Sequence, residues 1–149
     1  MAIFQGSTEP FTITGIEGRK NIGSAGTLTE LGSIPQYNNQ GIVCIFNFKF
    51  WADNHYSVKY ENWRLSLHKY TSWNGGHTTP VGQHVGTIAS ESTGHNNIAN
   101  ATMSVTDNGT TDWKINVGAD MTGSGGYDVM CDWTLKMIAS FAYPVWTSS

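Results

Sequence analysis

Five histidines, His55, His68, His77, His84 and His95, are the first residues that could do chemistry. A metal site needs two or three converging ligands, usually announced by a close pair. No His-x-His or His-x-x-x-His occurs here, and His77 and His84 would meet only if the segment between them folded back. The five therefore read as loop histidines, and no metal or other cofactor is expected. The run Asp107-Asn108-Gly109-Thr110-Thr111-Asp112 offers oxygen ligands like the start of a Ca²⁺ loop. It lacks the downstream bidentate Glu, and Trp113 opens a strand pattern instead, so a plain turn is expected. Asp128 and Asp132 have the residue types of a glycosidase carboxylate pair. Both fall on the polar side of an alternating stretch, where solvent exposure is the simple account. No G-x-S-x-G elbow, phosphate loop or H-E-x-x-H is present. No catalytic residue is singled out, and the chain is expected not to be an enzyme.

One constellation suits binding. Trp73 stands in a loop beside Asn74, Gly75, Gly76 and His77. A flat ring flanked by an amide and an imidazole is what a sugar-binding surface requires. The competing account is that Trp73 caps the core beneath its own loop. Trp73, Asn74 and His77 are kept as candidate glycan-binding residues, the alternative to the main reading below.

The elements that would position such groups are strands. From Tyr127 to Phe141 every odd position is apolar or small: Tyr127, Val129, Cys131, Trp133, Leu135, Met137, Ala139 and Phe141. Strict alternation assigns one set to each face of a strand, here predicted to run roughly 50 Å at about 3.3 Å per residue. A second strand is expected at 41–53. Its even positions, Ile42, Cys44, Phe46, Phe48 and Phe50, form the core face, yet Val43, Ile45 and Trp51 on the other face are apolar too. Tyr56, Val58 and Tyr60 alternate, then Trp63, Leu65 and Leu67 continue on the other parity, which predicts a bulge or turn at Glu61-Asn62. Weaker strands are expected over 80–90, 101–106 and 112–120, with short loops between them. Residues 1–40 are rich in Gly, Ser and Thr and read as an extended N-terminal arm with short strands. Residues 41–149 are expected to form the β-sandwich domain.

The totals agree with an all-β fold. The chain has 149 residues, enough for one core, with 17 Gly, six Trp, six Tyr and only 13% charged residues. The charged share is about half the usual. A net charge of −3 and a pI of about 5.9 speak against a nucleic-acid partner held through phosphates. No apolar run approaches membrane-spanning length, so no membrane span is expected. The first residues show no basic segment followed by an apolar one, so no signal peptide and synthesis in a reducing cytoplasm are expected. Cys44 and Cys131 then read as buried thiols. Pairing between them stays open, though the compartment disfavours it.

About eight strands at this spacing predict an antiparallel β-sandwich or jelly roll. The stretch WKINVGADMTGSGGYDVMCDWTLKMIAS has a Gly-rich loop, a long alternating strand and a short tail after it. In this it resembles the closing strands of small jelly-roll knobs of the tumour-necrosis-factor and C1q type, and the knob and decoration proteins of tailed-phage virions. The resemblance spans roughly residues 41–142. It implies an oligomer, typically a trimer, that clamps a capsid or binds a host surface, and a virion location after synthesis in the host cytoplasm. The residues independently ask for subunit contacts. Val43, Ile45, Trp51, Met130, Ile138, Tyr143, Val145 and Trp146 are apolar where parity or the tail directs them outward, more than a monomer normally leaves in water. These eight are the candidate subunit-interface residues. The main expectation is a virion structural protein, either capsid decoration or cement or a particle-tip protein. Its partners would be its own copies, other virion proteins and, in the alternative, host-surface glycans.

Overall fold

A computed structural model describes residues 11–37, 40–52, 57–70, 77–86, 98–108, 111–122, 127–140 and 142–149. The described residues form nine strands. In chain order these are β1 (Phe11–Asn21), β2 (Thr29–Pro35), β3 (Gln40–Ala52), β4 (Val58–Tyr70), β5 (His77–Gly86), β6 (Ile98–Asn108), β7 (Asp112–Met121), β8 (Val129–Ala139) and β9 (Thr147–Ser148). They make two antiparallel sheets, a larger one ordered β1-β8-β3-β4-β5 and a smaller one ordered β6-β7-β2-β9. The expected all-β sandwich is the observed architecture. β1 pairs with β8 and β2 with β7, the nested wrap that a jelly roll also uses. β3-β4-β5 and β6-β7, in contrast, follow one another as antiparallel neighbours within their sheets.

The core lies between the sheets and is written by parity. Ile42, Cys44, Phe46, Phe48 and Phe50 from β3 and Val129, Cys131, Trp133, Leu135, Met137 and Ala139 from β8 are buried. Trp113, Ile115, Val117 and Ala119 of β7 close the core from the smaller sheet. Each large side chain removed from water in this way contributes about 1.5–3 kcal/mol. The thiols of Cys44 and Cys131 are free. Burial pushes the Cys44 thiol up to about 12. Burial, with the Asp132 charge second, raises that of Cys131.

The long strand is shorter than its pattern: β8 covers Val129–Ala139, and Tyr127 before it is exposed. The segment read as an arm is part of the sandwich from Phe11 onward. β1 supplies an edge of the larger sheet, and Ile22, Leu31 and Ile34 are buried in the common core. The reason is long-range pairing, which a Gly- and Thr-rich stretch does not announce by its own periodicity. β1 meets β8 with a register shift between Ile13 and Ile16, where Gly15 has a φ of 81°, a left-handed conformation suited to glycine.

Candidate functional site

The outer face of the larger sheet carries most of the side chains on which function can be built. Because the strands are in register, these side chains fall into rows that cross β1, β8, β3 and β4 in turn. The first row is Thr12, Ile138, Val43 and Ser66, and the next is Lys136, Ile45 and Arg64. Then come Glu17, Thr134, Asn47 and Asn62, and after them Arg19, Asp132, Lys49 and Tyr60. The last row is Asn21, Met130, Trp51 and Val58. The face thus has an apolar end, a polar and charged middle, and a second, mixed apolar end.

The middle is a trough. Glu17, Gly18 and Arg19, then Asn47, Phe48 and Lys49, then Tyr60, then Asp132, Trp133 and Thr134 enclose about 640 Å³ that opens to solvent. A smaller hollow of about 260 Å³, between Arg19, Lys49, Trp51 and Val58, prolongs it towards the last row. Phe48 and Trp133 turn their side chains to the core, as their burial requires, so they line the trough through backbone. Adjacent strands are about 4.8 Å apart, so the crossing from β1 to β4 spans about 14 Å.

Electrostatics fixes the middle rows. Arg19 donates from Nε to Asp132 Oδ1 at 2.7 Å and from Nη2 to Oδ2 at 3.1 Å, a two-pronged ion pair. Its guanidinium carbon also lies 5.2 Å from the centre of the Trp51 ring, a cation–π contact. Partial burial works against a charged Asp132. Hydrogen bonds from Arg19 and Trp51, with the charges of Arg19 and Lys49, more than offset this and hold the carboxyl below its ordinary range. The Asp132 hydrogen bond and charge likewise raise the Arg19 pKa. In the row above, Asn62 Nδ2 donates to Asn47 Oδ1 at 2.5 Å, and Asn47 Nδ2 lies 3.5 Å from Thr134 Oγ1. Tyr60 at the β4 end keeps 37% of its surface exposed.

The eight expected contact residues do not form one surface. Val43, Ile45 and Ile138 meet at the apolar end, all half-buried. Trp51 and Met130 face each other at the opposite end. Val43 and Trp51 are eight residues apart on one strand, about 26 Å. Tyr143 is 60% exposed and meets Phe11 edge to face at 5.7 Å, and Val145 is exposed beside it in the tail. Trp146 is displaced from the expected surface. Its ring packs 5.3 Å from Trp133 and 6.1 Å from Phe46, against the core. The β2–β9 pairing draws the tail back across the smaller sheet and so directs this ring inward. Of the glycan candidates, Trp73 and Asn74 lie outside the described residues, and His77 is the first residue of β5, opposite Tyr70.

In the run expected to form a plain turn, Asn108 ends β6 and Asp112 opens β7 as cross-strand partners, while Gly109 and Thr110 lie outside the described residues. Among the described residues, no group of three or more His, Cys, Asp or Glu could hold a metal. Among them, too, no helix is long and apolar enough to cross a membrane. The trough residues of β1 and β4 escaped sequence reading. The signal available was the parity change after Tyr60. β4 runs unbroken against β3, so Val58 and Tyr60 simply face outward, and the register shift at Asn62/Trp63 concerns only β5.

No protein-family model matches the sequence, nor does any curated protein. Among solved structures the fold is similar to that of the tailspike protein of Acinetobacter baumannii phage AM24. The TM-score is 0.51, with 11% identity over 90% of this chain. The chain spans 28% of that protein's length. At this identity the likeness is one of fold.

Proposed function

We propose that this chain is a structural component of a bacteriophage particle. In this reading it is an oligomer, most simply a trimer, at a tip or spike or decorating the capsid, made in the host cytoplasm. It works through surface contacts and catalyses no reaction. The observation that carries this is the similarity of fold, over 90% of the chain, to a phage tailspike protein. The apolar end of the outer face supports the oligomer. Val43 and Ile138 are cross-strand partners, and Ile45 is two positions along the same face. Together they give a small hydrophobic centre rimmed by Thr12, Ser66, Arg64 and Lys136, the apolar-core and polar-rim composition of a subunit contact.

Two measurements test the reading. Mass spectrometry of washed particles of the virus encoding this chain should find it as a stoichiometric component, and its absence would overturn the assignment. Light scattering of the purified protein at micromolar concentration should show an oligomer that Val43→Asp splits into folded monomers. A wild-type monomer would remove the subunit-contact part.

A further inference from the structure

We propose that the trough between Glu17 and Tyr60 binds a carbohydrate chain, laid across β1, β8, β3 and β4. This goes beyond a structural role and does not depend on the oligomer, because the apolar end is a separate region of the same face. Three properties of the trough favour a polyhydroxyl ligand. First, its lining mixes groups that only accept, only donate, or do both: the Glu17 carboxylate, the Lys49 ammonium, the Asn47 amide and the hydroxyls of Thr134 and Tyr60. A sugar hydroxyl, itself both donor and acceptor, satisfies either kind. Second, Tyr60 offers an exposed ring at one end, a platform for the apolar face of a sugar. Trp51 does not compete for this role, since Arg19 covers it. Third, the trough is open and crosses about four strands, a shape suited to an extended chain more than to an enclosed small molecule.

Charge argues against the other occupants. Arg19 is neutralised by Asp132, which leaves Lys49 against Glu17 and no cation surplus for a phosphate backbone. A second copy seated here would strip water from these groups without assured partners, a cost the apolar end does not carry. Both Asp132 oxygens are engaged by Arg19, so the carboxylate orients the site and is not available as a nucleophile or base.

The test is a printed array of neutral and uronate-bearing oligosaccharides and bacterial surface polysaccharides, probed with the full chain and followed by calorimetry on the best-retained glycan. Wild type should bind at least one of them. Tyr60→Ala should weaken that binding about tenfold or more, and Asn47→Ala should weaken it too. Both variants should keep the wild-type melting temperature, since both side chains are exposed on the outer face. Val43→Asp should bind glycan as wild type does, even where it alters the oligomer, so the two readings fail separately. An array without a bound glycan overturns the proposal, as does undiminished binding by both Tyr60→Ala and Asn47→Ala. Neutral and uronate arms distinguish a ligand held by hydroxyls alone from one that also uses Lys49.

Discussion

Arg19 and Asp132 are 113 positions apart in sequence and form a two-pronged ion pair across adjacent strands. Their worth is modest, because the Arg19 side chain is 63% exposed and that of Asp132 26% exposed. The sign of the pH effect is nevertheless fixed. A carboxyl held below its ordinary range in the folded state stabilises the fold above its unfolded pKa of about 4. That contribution disappears as the pH falls through the folded-state value. Asp132→Asn should thus melt a few degrees below wild type at pH 7, with a narrower gap at about pH 2. Melting curves at the two pH values check this, and a gap as wide in acid as at neutrality would contradict it. Gly32 is the second residue whose identity is dictated. A Cβ there would run into the Trp146 ring and stand 2.6 Å from the Thr147 carbonyl oxygen. Gly32→Ala should push the tail outward, cost about 1–3 kcal/mol and shift the denaturation midpoint accordingly. An unchanged midpoint would show that the tail has room to give.

At the level of elements, the inner faces were legible and the outer site was not. Alternation in 41–51 and 129–139 assigned the core correctly, because burial imposes a period of two on a strand and selection for it is strong. β1 and β2 carry weaker patterns: β1 is an edge strand rich in Gly and Thr that buries less per residue, and β2 is a short strand whose place is set by pairing with β7 and β9. The trough is assembled from four strands whose members are adjacent only after folding. Glu17, Thr134, Asn47 and Asn62 have no sequence spacing that could announce a row. Tyr60 was visible as an aromatic, and the bulge expected at Glu61-Asn62 has its counterpart in the β4–β5 register shift between Asn62 and Trp63, but β4 keeps its register with β3 and so presents Tyr60 to the outer face. Trp146 misled for the opposite reason: a tail after Pro144 has no period, and only the β2–β9 pairing fixes which way its ring points.

On the scale of the whole molecule, the larger sheet divides its labour. Its inner face supplies the core, and its outer face separates the apolar end proposed for subunit contacts from the polar middle proposed for a glycan. Under those two proposals, assembly and recognition would vary independently. The nested wrap of β1 on β8 also has a kinetic side. The first described strand acquires its neighbour only when a stretch more than a hundred residues downstream is in place, so loop closure must be achieved before any contact rewards it. Refolding should fall in the class of milliseconds to seconds that non-local β-sandwiches occupy, and stopped-flow tryptophan fluorescence reads it directly; a microsecond phase carrying the full amplitude would contradict that. Until the wrap closes, β8 lacks its β1 partner and the chain presents an open, apolar strand edge. Crowded expression of many copies makes that interval the one in which the chains are most exposed to pairing with each other instead of with themselves.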